Sequence, residues 1–374
     1  MIKILIPREN HHTRLFTAYR ASQIYDKLSK LFPEVELVDL NCEKLSNGEI
    51  STIILPIEWN STLTSKSLQT YINDLSNYNK IIITGRYANC YKEYVSTVFQ
   101  NAMTVAEHTL LDIDALPSDL VFMRNKTSYA YAPIESSIGC FGKCSFCSNK
   151  IVAQANDVSF AWTACSPTKV VELIKRTICN YGIHSFCFLD NNFIGTKEHA
   201  VEIAEEILCS DVKIKFSIET RVDCLEIEII ELLKKAGLRK VMLGLESGSD
   251  SFLKKYKKGT SVEQNVVAIE ALRRNNINVD PQIIMFYPDA TYSELGDTLN
   301  FIKDNKLYNC IANGGAFITK MMVFDSKNPE DMYNYDYADQ RVALFENELK
   351  KNGLTKISSL RDCEKACELY NMFE

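Results

Sequence analysis

The stretch Cys140-Phe-Gly-Lys-Cys144-Ser-Phe-Cys147 decides how the rest of this chain is interpreted, because it places three cysteines within eight residues. Three reduced thiols on one short, glycine-containing loop indicate a metal site. A structural zinc site uses four protein ligands, and an iron–sulfur cube has four corners that thiolates can hold. Three local thiolates therefore predict a cube with one corner open to a substrate or cofactor. The alternatives are a zinc loop completed by a distant ligand and three unrelated buried cysteines.

Length, composition and charge set the class of protein. The chain has 374 residues, enough for two or three domains, and its 46% hydrophobic and 24% charged residues are typical of a globular protein. A net charge of −6 gives no indication of a nucleic-acid or anionic-membrane surface. No apolar run reaches the roughly 18 residues of a membrane-spanning helix. The run Ile2–Pro7 predicts a first strand, not a signal peptide, and thirteen cysteines predict a cytoplasmic protein without a disulfide framework.

The first 120 residues alternate short β-branched runs with helical patterns. The predicted strands are Ile2–Pro7, Val35–Leu40, Thr52–Ile57 and Lys80–Gly85, and the predicted helices are Leu15–Leu31 and Glu93–Glu107. This alternation predicts an α/β domain with a doubly wound, Rossmann-like parallel sheet over residues 1–120. The stretch Asp112–Asp119 has the composition of a domain boundary.

From residue 121 the alternation has a longer period. Six further strands are predicted: Ala130–Ser136, His184–Asp190, Lys213–Glu219, Lys240–Glu246, Pro281–Tyr287 and Ala316–Phe324. Six strand–helix units predict a partial (β/α)6 TIM-like barrel over residues 121–325, followed by a helical extension over residues 326–374. The cysteine loop follows the first barrel strand at its carboxyl end, where barrel enzymes place their chemistry.

Polar residues cluster at the ends of the third and fourth barrel strands. Ser217, Glu219 and Arg221 alternate along one strand, so they share a face. Buried polar groups need polar partners, and a zwitterionic amino acid with a ribose would supply them, with its carboxylate gripped by arginine. The alternative is an internal Glu–Arg pair. The sequence Gly244-Leu-Glu246-Ser-Gly248 predicts a tight turn, either binding a ligand or simply capping the next helix.

Two residues near the second and third strand ends are further candidates. Asp190, in Asp190-Asn-Asn-Phe193, either contacts a cofactor or substrate or begins the next helix. Cys224 is a candidate hydrogen-atom donor on the loop after the third strand, with Tyr287 as its rival and packing against the following helix as its alternative. Alternation along the second strand predicts that Cys187 faces the helices.

The spacing CxxxCxxC, with Phe146 directly before the last cysteine, resembles the signature of the radical S-adenosylmethionine (radical SAM) superfamily. The resemblance is strengthened by the Glu219-Thr-Arg221 element, the GLESG element around Glu246 and the DDxF-like element at Asp190. It implies a four-iron four-sulfur (4Fe–4S) cluster held by Cys140, Cys144 and Cys147. It also implies that a cluster electron splits SAM into methionine and a 5′-deoxyadenosyl radical. The residues that the resemblance implies for cofactor binding are Phe146, Asp190, Ser217, Glu219, Arg221 and Glu246.

A doubly wound domain ahead of such a barrel resembles the cobalamin-binding class of radical SAM enzymes. Members that ligate cobalt from below carry a DxHxxG motif, and none of the five histidines of this chain fits it: His11, His12, His108, His184 and His199. Two readings remain, cobalamin bound without a lower protein ligand and loss of the cofactor, and the sequence favours loss.

The predicted function is hydrogen abstraction from a biosynthetic intermediate, leading to epimerisation, dehydration, dehydrogenation or rearrangement. The substrate is expected to be a small molecule or peptide, and the electron donor a flavodoxin or ferredoxin, with no nucleic-acid or membrane partner. The alternatives are a cobalamin-dependent methyltransferase, a non-catalytic iron–sulfur or zinc protein, and a modifier of transfer RNA, which the acidic charge disfavours. Cys363 and Cys367 share a helix face and are either ordinary helix cysteines or further metal ligands.

Overall fold

The computed structural model describes residues 1–9, 11–45, 50–77, 79–110, 116–156, 159–309, 316–317, 319–323 and 328–373. The predicted boundary at Asp112–Asp119 lies partly outside these residues. Within them, no helix combines the length and the apolar composition needed to cross a bilayer.

The amino-terminal part is a parallel sheet with helices on its faces. Its strands are β1 (Ile2–Ile6), β2 (Val35–Asp39), β3 (Thr52–Pro56), β4 (Lys80–Thr84) and β5 (Ala102–Thr104), and its helices are α1 (His11–Ser29), α2 (Asn60–Leu63), α3 (Lys66–Ser76), α4 (Arg86–Cys90), α5 (Lys92–Val98) and α6 (Glu107–Leu110). The strand order is β2-β1-β3-β4-β5 with every pair parallel. This confirms the doubly wound sheet, whose ligand-binding crevice is expected at the carboxyl edge where the strand order reverses.

One predicted element of this part is wrong. The helix predicted over Glu93–Glu107 ends at Val98, and the chain then forms β5. Asn101 takes a left-handed conformation with φ of 60°, which turns the chain back so that Ala102 pairs with Ile81 of β4. Strand pairing, which is a long-range interaction, overrides the local helical pattern here.

The second part is the predicted partial barrel. Its elements in chain order are β6 (Ala132–Ile134), β7 (Ser137–Ile138), α7 (Ser148–Ala155), β8 (Thr163–Ala164), α8 (Pro167–Tyr181), β9 (Ser185–Phe188), α9 (Lys197–Cys209), β10 (Lys215–Arg221), α10 (Ile227–Ala236), β11 (Leu238–Glu246), α11 (Asp250–Lys255), α12 (Val262–Arg274), β12 (Asn278–Phe286), α13 (Tyr292–Asp304), β13 (Ala316–Phe317) and β14 (Thr319–Lys320). Short 3-10 helices cover Val121–Ser128, Val222–Cys224 and Leu307–Asn309.

The barrel sheet has the strand order β6-β9-β10-β11-β12-β14, which follows the chain, with every pair parallel. This confirms the partial barrel. The predicted sixth strand Ala316–Phe324 is divided: β13 leaves the sheet to pair antiparallel with β15 (Lys356–Ile357), and β14 completes the sheet. Phe324 lies outside the described residues.

The carboxyl-terminal extension packs beside the barrel through α14 (Gln340–Lys351) and α15 (Leu360–Asn371). Helix α14 begins at Gln340, where the Asp339 side chain caps it by accepting from the Arg341 amide. The ring of Tyr370 stacks on Tyr292 of α13 at 4.3 Å between centroids. The Tyr335 hydroxyl donates to the Phe286 carbonyl at 2.9 Å, so the extension lies against the carboxyl end of β12.

The faces of β9 differ from the prediction. Phe188 packs against Phe193 and Phe216, with ring centroids 4.9 and 5.4 Å away, in the core beneath the helices. Cys187 therefore faces the barrel interior, where its thiol meets the Ser217 hydroxyl. The prediction that Cys187 faces the helices is wrong, because it assumed that the aromatic face carries Asp190 inward, although Asp190 lies beyond the end of the strand.

Candidate active site

The cysteine loop leaves the carboxyl end of β6 and is held by hydrogen bonds from three directions. The Cys140 amide donates to the Phe160 carbonyl at 3.1 Å, next to the β7–β8 pair. The Ser145 amide donates to the Tyr256 carbonyl at 3.0 Å, which ties the loop to the segment after α11. Cys147 is the N-cap of α7. The loop is therefore fixed by contacts distant in sequence and not by its own hydrogen bonds alone.

Two glycines permit this loop, for different reasons. Gly139 has φ of +80°, and a Cβ there would lie 2.5 Å from the Ala161 carbonyl oxygen. Gly142 has no such conformation; a Cβ there would lie 2.9 Å from Nη1 of Arg221. The sequence indicates a bend at Gly142, but the structure shows that this glycine makes room for an arginine, while Gly139 makes the turn.

The three cysteines line one cavity of about 400 Å³ at the carboxyl end of the barrel strands. Its lining also includes Phe146, Glu219, Arg221, Glu246, Lys258, Gln282, Lys320 and Tyr333. Burial raises the pKa of the Cys140 thiol, and raises that of Cys147 to about 11. Among the described residues, no three histidine, cysteine or acidic side chains converge on a point suited to a single metal ion. An iron–sulfur cube does not require this, because its thiolates bind separate irons.

Glu246 stands at the strained end of β11. Its φ is 64°, although it is not glycine, and its carboxylate Oε1 lies 2.7 Å from Nζ of Lys258. Lys258 is 4% exposed; burial alone would lower its pKa, but the Glu246 carboxylate raises it above the ordinary value. The sequence analysis missed Lys258, which lies in a lysine run that has the pattern of a solvated surface.

The three alternating polar residues of β10 lie on one face, as predicted, but in different surroundings. Ser217 is buried next to Cys187, below the residues that line the cavity. Glu219 lies on the cavity wall, where burial and then the Glu246 carboxylate raise its pKa to about 7. Arg221 forms a bidentate pair with Asp223, at 2.9 and 2.8 Å, and its Nη1 donates to Sγ of Cys144 at 3.4 Å. The guanidinium fork that was expected to grip a ligand carboxylate is thus engaged within the protein.

Asp190 is fully buried behind the cysteine loop and does not line the cavity. Its carboxylate accepts from the Ser136 amide at 3.1 Å and from the Ser136 and Ser137 hydroxyls at 2.7 and 2.6 Å. Burial raises its pKa to about 6. Asn191 follows it and lines the cavity, with its side chain accepting from the Gly139 amide at 3.2 Å. This geometry gives Asp190 a positioning role for the start of the loop.

The remaining predicted residues, Phe146 and Cys224, have distinct locations. Phe146 lines the cavity and packs near Phe252, with ring centroids 5.9 Å apart. Cys224 lies at the end of a 3-10 helix, with its sulfur 3.6 Å from the Asn192 side-chain nitrogen, and is not among the residues that line the cavity. Burial raises the pKa of its thiol to about 11. The hydrogen-donor role of Cys224 stays a prediction.

Comparison with known proteins shows which family has a sequence similar to the part of the chain that forms this cavity. Residues 134–302 match the Radical SAM superfamily. The chain carries a radical SAM domain. The chain is 25% identical over 199 residues to an uncharacterized methyltransferase of Pyrococcus horikoshii, covering 53% of this chain and 40% of that protein. It is 28% identical over 212 residues to the anaerobic magnesium-protoporphyrin IX monomethyl ester cyclase of Cereibacter sphaeroides, covering 54% and 34%.

A solved structure extends the likeness beyond the radical SAM domain. OxsB, described as a cobalamin-dependent S-adenosylmethionine radical enzyme and solved with aqua-cobalamin bound, superposes with a TM-score of 0.63 at 18% identity. The match covers 89% of this chain and 55% of that chain. The likeness shows the shared fold. The matches span less than half the length of the two curated relatives named above.

The radical SAM superfamily uses a 4Fe–4S cluster and SAM, and the cavity fits such groups chemically. The lining of this cavity combines the thiols of Cys140, Cys144 and Cys147 with the carboxylates of Glu219 and Glu246. Soft thiolates suit iron–sulfur clusters, and carboxylates suit an ammonium or a ribose hydroxyl.

Proposed function

We propose that this chain is a radical SAM enzyme that abstracts a hydrogen atom from a small-molecule or peptide intermediate in a biosynthetic pathway. The observation that carries the proposal is that the three loop cysteines and two strand-end glutamates line the same cavity. When bound, the cluster supplies an electron to SAM, and SAM supplies the 5′-deoxyadenosyl radical that takes the hydrogen.

The residues of this chain would divide the work as follows. The thiols of Cys140, Cys144 and Cys147 would hold the cluster. The carboxylates of Glu219 and Glu246, which line the same cavity, would orient the ammonium and ribose of SAM. Arg221, only 3.4 Å from Sγ of Cys144, donates to a thiolate and balances cluster charge. Ser217 supports the strand beneath them.

Because none of the five histidines fits the DxHxxG motif, we propose a reaction class that needs no cobalamin. Epimerisation, dehydration, dehydrogenation and rearrangement each begin with hydrogen abstraction. A one-electron donor of the flavodoxin or ferredoxin class would reduce the cluster. We place the protein in the cytoplasm, where thirteen cysteines stay reduced. No nucleic-acid partner is proposed, because the net charge is −6.

The test is anaerobic reconstitution with iron and sulfide, followed by dithionite and SAM, with 5′-deoxyadenosine measured by chromatography. Wild-type protein should turn brown and release 5′-deoxyadenosine, and Cys144→Ala should lose both properties. Cys179→Ala is the matched control, because Cys179 is an exposed cysteine on α8, and it should behave as wild type. A colourless wild-type protein that binds zinc instead would support the non-catalytic alternative and end the proposal.

A cobalamin-dependent radical SAM methyltransferase is the second candidate. The fold likeness to OxsB and the sequence likeness to a methyltransferase favour it. It predicts that the protein retains cobalamin and transfers a methyl group from SAM to the substrate. Isotopically labelled SAM separates the two candidates, because only the methyltransferase would label the product in the methyl group.

A further inference from the structure

The carboxyl edge of the amino-terminal sheet is the place where a doubly wound domain binds a ligand. In this chain that edge is occupied by side chains of the same sheet. Glu58, directly after β3, is fully buried and pairs with Arg86 at 2.9 Å. A Cβ on Gly85 would lie 2.5 Å from the Ile57 carbonyl oxygen and 2.8 Å from Glu58 Oε1. The turn from β4 to α4 is therefore packed against the end of β3, where a crevice would open.

The barrel covers the same edge from outside. Val152 of α7 is 2% exposed and belongs to the hydrophobic core of the amino-terminal sheet. At the end of α7, the Asn156 side chain donates to the Arg86 carbonyl at 3.1 Å and to Sγ of Cys90 at 3.2 Å. Helix α4 of the sheet domain and helix α7 of the barrel thus pack directly on each other.

The segment after the barrel covers the neighbouring part of the edge. Met332 is fully buried in the same hydrophobic core. The Asn60 side chain donates to the Pro329 carbonyl at 2.8 Å. Glu330 accepts from Lys66 and from the Tyr94 hydroxyl, at 2.8 and 2.7 Å. Glu58 Oε1 and Thr84 Oγ1 are buried with no partner among the described residues, which is a need that ordered water can meet.

The helix that seats on this edge begins at a cluster cysteine. Cys147 is the N-cap of α7, and Val152 lies five residues beyond it on that helix. A protein interior is close-packed, so a rigid helix held at one end transmits its position to the other. The contacts that hold Val152 and Asn156 in position therefore also hold the thiol of Cys147 in position.

We infer that the carboxyl edge of the amino-terminal sheet binds α7 in place of a corrinoid and serves to hold Cys147 in the geometry of the cluster. This inference rests on the proposed function, because it takes Cys147 as a cluster ligand. At this edge Arg86 pairs with Glu58, and the Tyr87 hydroxyl donates to Sδ of Met322, so these side chains already have partners within the chain. The amino-terminal domain is then a support for the radical SAM loop and not a carrier of a second cofactor.

The test compares cluster retention in two interface variants with two controls, using the full-length reconstituted protein under anaerobic conditions. Asn156→Ala removes a buried hydrogen-bonding group and Val152→Ala removes buried methyl groups, and each variant should lose iron to a chelator roughly fivefold faster than wild type. Gln154→Ala is the control on the same helix, because Gln154 is exposed. Ile72→Val is the control for general destabilisation, because Ile72 lies in the same core away from α7.

Both controls should lose iron at the wild-type rate, although Ile72→Val lowers the unfolding temperature. A second measurement incubates wild-type protein with hydroxocobalamin, removes free ligand by gel filtration and reads corrinoid absorbance; no retained corrinoid is expected. One corrinoid per chain would overturn the inference, as would interface variants that keep their cluster as long as wild type. Wild-type protein that assembles no cluster would instead refute the proposed function, and this role of α7 with it.

Discussion

The ionisation of Glu219 should make SAM binding weaker in acid. Burial, and then the nearby Glu246 carboxylate, raise the pKa of Glu219 to about 7. If only the ionised carboxylate pairs with the ammonium of SAM, the protein binds SAM with full affinity above this pKa. The affinity for SAM decreases as the pH falls below it. For one group of pKa 7, the apparent Kd rises about tenfold between pH 8 and pH 6, or about 1.4 kcal/mol.

The assay is calorimetric titration of SAM into reconstituted protein between pH 6 and pH 8, in two buffers of different ionisation enthalpy. At pH 6 the heats should show release of about one proton when SAM binds, because Glu219 must ionise. Glu219→Gln should bind more weakly and lose this part of the pH dependence, while any contribution from the SAM amino group stays. Glu228→Gln, at an exposed position on α10, should keep the wild-type profile. A wild-type profile that is flat, or one that Glu219→Gln reproduces, would refute the reasoning.

Two further predictions concern the Lys258–Glu246 pair in the cavity and the turn at Gly139 before the cysteine loop. Lys258→Met should destabilise the metal-free protein by about 3 kcal/mol in urea unfolding, because it leaves the Glu246 carboxylate buried without its partner. The double variant Lys258→Met, Glu246→Gln should recover most of this lost stability. A loss below about 1 kcal/mol in the single variant would contradict this account. Gly139→Ala should destabilise the protein by more than Gly353→Ala and should also reduce the iron content after reconstitution. Both glycines have positive φ, but only at Gly139 would the added Cβ meet a backbone atom, at 2.5 Å. Equal losses in the two glycine variants would show that backbone strain alone matters.

Much of the fold was predictable from the sequence, because each strand is marked by a pattern of neighbouring residues. Each strand is a β-branched or aromatic run bounded by turn residues, and a parallel sheet follows when such runs alternate with helices. The prediction failed at Glu93–Glu107, where the helical pattern continues but strand pairing with β4 takes over at Ala102. It failed at Cys187 because a strand buried on both sides carries no alternation from which its faces can be told.

The parts of the site that depend on the spacing of neighbouring residues were predictable from the sequence. The ion pairs of the site were not. The thiols of the loop and the face of Glu219 follow from local spacing. The pairing of Arg221 with Asp223, and of Lys258 with Glu246, required coordinates. Asp190 was assigned a ligand contact, but its three hydrogen bonds go to Ser136 and Ser137.

The sequence by itself indicated the chemistry, because three cysteines within eight residues can line one cavity when the segment forms a loop. It did not determine the strand order: consecutive parallel units pack beside one another in the barrel, whereas β1 pairs with both β2 and β3 in the amino-terminal sheet. Only the tertiary structure decided which charges are neutralised before a ligand arrives, and what covers the carboxyl edge of the first sheet. These depend on contacts between residues far apart in sequence, such as Asn156 with Arg86, whose distances no local pattern encodes.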